Sequence, residues 1–534
     1  MILGIKINHT LFYYWGLVLM VVSLPFSEFL LSISFFVIVI NWILEGDFKR
    51  KLQILKKRKS IYVFLIVYLI HIAALIYSVN FEFAIHDLKI KLPLLLLPIV
   101  IGTSKPLKFY KIKYILLWFI AAVFAASLVC SFIIFGVVDY PINDFREVSI
   151  FISHIRFSLM INMAIFSLLY FFISDYIDVN KFQKSTYIIL ITWFIVFLFL
   201  LKSLTGIVIF IIISVVLAFM FIKKIKNTIF RNIIRYSLIL SILFIGAYIF
   251  NIYNKFYNVE EINPAKLELL TKDGNKYTHN LKLKQIENGN YIWLNVCFPE
   301  LEKEWTARST MAFDGNDKKG QILKFTLIRY LSSKGLKKDA EGMASLSNND
   351  IKNIENGMAN YLFEKKYSLY PRIYQFIWQV DNYKKGFDYS GHSAIKRIIY
   401  VKTAIEVIER NFWFGVGTGD VKDELQKQYV IDNTPLQKSE RRMAHNQFVS
   451  FFLAFGFLGF SLIVFAFIYP IYYEKMYKNY LFCVFSCIAV LSMLNEDTIE
   501  THTGISFVIL FYSLFIFGME KDIIIDNEKT NILY

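Results

Sequence analysis

Charge is scarce in this chain. Only 19% of its 534 residues are Asp, Glu, Lys or Arg, where an ordinary soluble domain carries about 25%. Cysteine is rarer still, with four in all. Cys130, Cys483 and Cys487 lie in apolar runs and Cys297 stands alone in a polar region, which excludes an intradomain disulfide framework and fits no metal-binding spacing. There is no internal repeat and no low-complexity linker. A small-residue cleavage site is also missing after the first apolar run, so that run is expected to remain as a span.

What is present in excess is apolar surface: 56% hydrophobic and 18% aromatic residues, with 53 Phe. Apolar runs of the length that crosses a hydrocarbon core of roughly 30 Å recur along the chain. Twelve are expected, at about 11–25, 28–44, 61–79, 88–103, 114–138, 154–174, 187–202, 205–222, 236–253, 447–470, 479–494 and 503–519. The fold class is therefore an all-α polytopic membrane protein with about 12 transmembrane helices. One large mixed loop separates the ninth span from the tenth. The expected organisation is spans 1–9 in 1–253, the loop in 254–446, spans 10–12 in 447–519 and a tail in 520–534.

Orientation follows from the basic residues of the short loops. Segments 1–10, 45–60, 104–113, 175–186, 223–235, 471–478 and 520–534 together hold 23 Lys and Arg. The opposite short loops hold five: Lys89, Lys91, Arg146, Arg156 and Lys202. Both termini are therefore expected in the cytoplasm, and the 193-residue loop 254–446 outside it. The net charge of +16 reads mainly as an orientation signal toward anionic lipid, and nucleic-acid binding is not needed to explain it.

Within the loop, residues 277–298 alternate around an Asn-Gly-Asn turn signal, and 346–363 reads as a helix capped near Ser347 or Asn348. Farther on, Ile395, Ile398, Val401, Ile405 and Ile408 recur at helical spacing. Lys402, Glu406 and Arg410 line the wet face of that helix, and a Gly415-Val416-Gly417-Thr418-Gly419 loop stops it. This glycine loop follows a helix and lies outside the cytoplasm, so turn glycines, not a dinucleotide site, are the expectation.

The span cores contain almost no ionisable residues, His71 being the main exception. Ion-coupled transporters place such groups near the midplane, so the chemistry is expected at the outer boundary instead. Three clusters stand there. RRMAHNQFVSFFLAFGFLGF (441–460) puts Arg441, Arg442, His445 and Asn446 at the mouth of the tenth span. The sixth span opens with a polar stripe of His154, Ser158 and Asn162, with Arg156 near the same surface. The loop LNEDTIETHTG (494–504) carries Glu496, Asp497, Glu500 and His502; its carboxylates are expected to balance nearby arginines more readily than to hold a metal.

NFWFGVGTGD (411–420) followed by AHNQFVSFFLAFGFLGF (444–460), after a large late loop in a many-span chain, resembles the O-antigen ligase family. Its relatives include O-antigen polymerases and protein O-oligosaccharyltransferases. Segment 329–360 resembles the loop insertion of such proteins from the Bacteroidetes group. Two departures are visible. Asn411-Phe412-Trp413 replaces a proline-containing approach to the glycine turn, and Leu204 stands in the 201–206 turn where the family often has Arg, with Lys202 two residues away.

The resemblance implies a GT-C-like glycosyltransferase of the bacterial inner membrane, with its site on the periplasmic face. It would move a glycan en bloc from undecaprenyl diphosphate to an acceptor hydroxyl such as that of lipid A–core, with inversion and with neither metal nor other cofactor. By the same resemblance His445 is the base, and Arg397 and Arg442 bind the diphosphate, with Arg441 and Lys202 as second choices. Asn446 orients His445 or binds a sugar. His154, Arg156, Gly415 and Gly417 belong to the expected substrate-binding surface. A polymerase or a protein-glycosylating enzyme differs mainly in acceptor. From another class, a lipid-linked glycan flippase is disfavoured by the charge-free span cores.

Overall fold

The structure is a computed structural model that describes residues 8–141, 145–174, 179–222, 227–259, 261–364, 368–387, 393–434 and 436–520. The tail expected at 520–534 lies outside the described residues after Glu520, as does the side chain of Arg146.

The described residues are mostly helical, and each of the twelve apolar runs falls on helix. Among the described residues, eight helices are long and apolar enough to cross a membrane, from Glu28–Glu45 to Gln447–Tyr473. His9–Ser23, Tyr480–Met493 and His502–Ile516 are shorter, at 15, 14 and 15 residues. The run expected at 88–103 is a 12-residue helix, Leu92–Thr103, with Pro93 in its first turn and Pro98 inside. Its start is fixed by Lys91, whose buried ammonium bridges Asp87 at 2.8 Å and Glu500 at 2.7 Å. A lysine so placed is offset by two carboxylates, and the apolar helix begins only after it.

The chain forms two compact units, Met1–Lys224 with Arg397–Tyr534, and Ile225–Lys396. In the second, a short antiparallel hairpin pairs Ile286–Glu287 with Asn290–Tyr291. Asn288 and Gly289 turn it with φ of 47° and 80°, the pair of left-handed residues such a tight hairpin requires. Helix Asn348–Glu355 is capped by Ser347 in a reciprocal box with Asp350. The core gathers Trp305, Leu327, Tyr330 and Ile354. A smaller cluster packs Ile252 and Phe256, from the end of helix Thr228–Tyr257, against Tyr374 and Trp378.

In the first unit, Lys59–Ala73 and Gln447–Tyr473 pack along each other. His71 is fully buried there, edge-on to Phe455 at 4.6 Å, and its Nδ1 lies 2.7 Å from the Val67 carbonyl. Helix Gln447–Tyr473 is broken at Gly456, where φ is 60° and ψ −170°. The glycine loop fills the break. Val416 and Gly417 donate to the carbonyls of Leu453 and Ala454 at 3.0 and 2.9 Å, and Phe457 donates to the Phe412 carbonyl at 2.7 Å. A Cβ on Gly456 would stand 2.4 Å from Phe414 N, and one on Gly415 would stand 2.5 Å from the Ala454 backbone. These glycines are present because two backbones touch.

The loop's other side is held by the end of the Lys59–Ala73 helix. Thr418 donates to the His71 carbonyl at 2.8 Å, and Asp420 accepts from the N–H groups of Val79 and Asn80, both at 2.8 Å. The helix leading into the loop, Ser393–Arg410, buries Ile395, Ile399, Tyr400, Ala404 and Val407. The expected face was rotated, since Ile398 and Ile405 are exposed. Both sides of this helix carry isoleucine, so apolar spacing alone does not choose between them. On its wet face Lys402 reaches Glu406 at 4.0 Å, while Arg410 bonds to Gln428 and Gln428 to Glu406 at 2.7 Å.

Candidate functional site

The three sequence clusters meet at one end of the first unit, around the loop between Tyr480–Met493 and His502–Ile516. Glu496 is the hub: its Oε1 bonds to the Arg397 guanidinium, and its Oε2 lies 3.4 Å from His445 Nδ1. Neither partner is sealed in, with 31% of the Arg397 side chain and 28% of the His445 side chain exposed, against 14% for Glu496. The cluster is therefore polar and only partly covered.

His445 is held on three sides. Its ring stacks on Tyr400 with centroids 5.6 Å apart at 28°. Its backbone, in the left-handed region at φ 49°, donates N–H to Asp497 Oδ2 at 2.8 Å. Asp497 in turn accepts from Ser450 at 2.7 Å. A non-glycine residue kept in this conformation stores strain that its surroundings must offset, and the Asp497 contact does so while aiming the imidazole at Glu496. Tyr400 is fixed by donating its hydroxyl to the Glu440 carbonyl at 2.7 Å.

The other expected residues divide clearly. Arg442 is exposed, and its charge acts on the Tyr400 hydroxyl. Arg441 is turned away: its Nε donates to the Leu436 carbonyl at 3.2 Å, and its guanidinium lies over the Tyr429 ring. Asn446 is the N-cap of the broken helix, accepting from Phe448 and Val449 at 3.0 and 3.1 Å and donating to the Leu494 carbonyl at 2.9 Å. Capping occupies its side-chain oxygen.

Arg156 stands within electrostatic reach of Glu496, Asp497 and Glu28, and its buried Nε has no hydrogen-bond partner. His154 is the first residue of the same helix, His154–Ile173. Ser158 and Asn162 serve packing, with Asn162 donating to the Gly206 carbonyl at 3.0 Å and Ser203 to the Ser158 hydroxyl at 3.0 Å. Lys202, at φ 51°, lies in a turn that touches the hub loop through Asn495 and Thr205, 2.8 Å apart. Gly415 and Gly417 face the broken helix and the end of Lys59–Ala73, not the Glu496 cluster.

The carboxylates of the hub loop each have a separate task. Burial pushes the Glu496 carboxyl up, but the His445 hydrogen bond and the charges of Arg397 and Arg156 outweigh it and hold it below the usual carboxylate value. Burial raises Asp497 despite its bonds to Ser450 and His445. Burial also acts upward on Glu500, and there Lys91 and Gln447 prevail and bring it down. Among the described residues, no group of three or more His, Cys, Asp or Glu is arranged to hold a metal ion.

Because the folded Glu496 is lowered, its pairing stabilises the fold above the ordinary carboxylate range, and that contribution is lost as pH falls through the lowered value. Arg397→Ala removes one of the charges that lower it. The acid limb of the activity–pH profile is then expected to move to higher pH, which a rate profile on the purified variant will measure. An unmoved limb would mean that Glu496 protonation does not limit the activity.

Fold and site together define a polytopic, all-α membrane protein that gathers arginine, histidine and carboxylate at one end of its helices. Residues 347–464 match the family model described as O-Antigen ligase. No curated protein matches the chain. The match covers Arg397, the glycine turn, Arg442, His445 and the break in the helix. It supports a ligase- or polymerase-like membrane enzyme. Glu496, Arg156 and Lys202 lie beyond it.

Sequence reasoning placed Glu496 only among carboxylates that balance arginines; its bond to His445 across 51 positions had no local signal. Tyr400 was also missed. It lies three residues after Arg397 in a helix that was recognised, so it sits on nearly the same face as that arginine.

Proposed function

We propose that the protein is an O-antigen ligase-like glycosyltransferase. It moves a glycan en bloc from undecaprenyl diphosphate to an acceptor hydroxyl, that of lipid A–core, at the periplasmic face of the bacterial inner membrane. Both termini lie in the cytoplasm. The observation that carries this reading is the His445–Glu496–Arg397 constellation, two members of which fall in the family-matched segment.

The chemistry follows from those groups. With Nδ1 toward Glu496, the imidazole keeps its proton there and presents Nε2 as base, as carboxylate-oriented histidines do. Nε2 takes the acceptor hydroxyl proton while the acceptor oxygen attacks the anomeric carbon. The bond from that carbon to the diphosphate oxygen breaks, and the diphosphate leaves with the electron pair. One displacement inverts the anomeric centre.

Charge developing on the leaving group meets Arg442, which is exposed, and Arg156, which has an unmet Nε donor. Arg397 is shared with Glu496. Guanidinium groups suit phosphate oxygens through paired N–H contacts, and donors aimed at developing charge are the largest usual catalytic term.

The test is the glycolipid profile of a deletion strain beside its complemented parent. Loss of every glycan-bearing lipopolysaccharide band, with lipid-linked polymer accumulating, is the expected result. A surviving single-repeat band without its ladder would make the protein a polymerase. An unchanged profile would overturn both assignments.

A further inference from the structure

The glycine turn presents an unusual surface. Phe412, Trp413 and Phe414 point outward, with Trp413 58% and Phe414 66% exposed. Beside them, at the end of the Lys59–Ala73 helix and its 3-10 extension, Ile76 is 88% and Val79 85% exposed. A loop bathed in water can leave its carbonyls to solvent. This one does not: the carbonyls of Phe412, Trp413 and Phe414 accept from Phe457 at 2.7 Å, Leu458 at 3.3 Å and the Tyr77 hydroxyl at 2.9 Å. The Gly415, Val416 and Gly417 N–H groups are likewise bonded, to Asn411, Leu453 and Ala454. Apolar side chains outside, over a turn with these three carbonyls and three N–H groups bonded inside, suit irregular chain set against hydrocarbon.

Position points the same way. Helix Gln447–Tyr473 has 27 residues, so it is about 40 Å long at a rise of roughly 1.5 Å per residue. It overhangs a hydrocarbon core of about 30 Å by roughly 10 Å. Gly456, which the turn touches, stands about 15 Å along the helix from Asn446 at the same rise. Even with the whole overhang on the His445 side, the contact lies about 5 Å inside the core.

We propose that residues 411–417, which belong by sequence to the large extracytoplasmic loop, form a re-entrant segment whose Phe412–Trp413–Phe414 surface is covered by lipid acyl chains. The outward faces of Ile76 and Phe457 continue that surface onto two candidate spans. This placement does not depend on the reaction assigned above. It fixes the depth at which the broken helix, and with it His445, stands relative to the lipid.

A nitroxide at Phe414→Cys or Trp413→Cys tests it in proteoliposomes of phosphatidylethanolamine and phosphatidylglycerol. The host is the full chain with its four cysteines replaced, checked for unaltered thermal unfolding. At both positions, collisions with oxygen are expected to exceed those with a water-soluble nickel chelate, and Lys427→Cys, on the wet helix Val421–Ile431, is expected to show the reverse. Nickel access at 413 and 414 equal to that at 427 would overturn the proposal. So would exclusion of both relaxants, which would mean that protein covers the surface.

Discussion

His445→Ala is expected to lower glycan transfer by about 10²–10⁴-fold, the usual contribution of a positioned general base. The fall should appear in kcat, because donor binding rests on arginines that the substitution leaves in place. Glu496→Gln separates this role from a structural one. The amide keeps the side chain's size and can still reach Arg397 Nη2 and His445 Nδ1, but it carries no charge to set the tautomer or to stabilise the imidazolium. A kcat drop far larger than the modest loss of thermal stability expected from the missing charge would support base orientation by Glu496. Full activity of His445→Ala in a purified assay would remove the histidine from the chemistry.

The second large effect is on folding. Gly456→Ala places a methyl carbon 2.4 Å from Phe414 N and Trp413 C, on a residue at φ 60°. The backbone strain costs about 1–3 kcal/mol, and overpacking against main chain that cannot rotate away adds roughly 1–3 kcal/mol. The expected outcome is a sharp loss of folded protein in detergent, read by thermal unfolding and by the monodisperse yield. Gly46→Ala is the control, since φ there is also positive but nothing lies within 4 Å of a Cβ. Equal yields of the two variants would mean that the turn and the break do not pack as described.

Much of the architecture was legible because membrane helices are written in length and hydropathy. The twelve runs coincide with helix, the Ser347 cap and the Asn288-Gly289 turn stand where local residues placed them, and the clusters at 154–156, 397 and 441–446 converge. What was hidden depends on partners far along the chain. Asn446 was expected to orient His445 or bind a sugar, and the structure adds that it caps a helix start. Gly456 lies in a run so apolar that hydropathy shows an unbroken span; only the loop packed against it reveals the interruption. The buried face of Ser393–Arg410 was misjudged because isoleucines at 398 and 405 are as apolar as the residues that pack.

The broken helix also bears on the order of assembly. A helix that completes its own hydrogen bonds can enter a bilayer as soon as it is made. Gln447–Tyr473 does not complete its own: Leu453 and Ala454 take their hydrogen bonds from Val416 and Gly417, and Phe457 gives its own to Phe412. Those partners are synthesised earlier, and on the proposed topology they have already left the cytoplasm when the helix arrives. On that topology this helix reaches the membrane unfinished, and its maturation waits on the return of a segment that was exported before it.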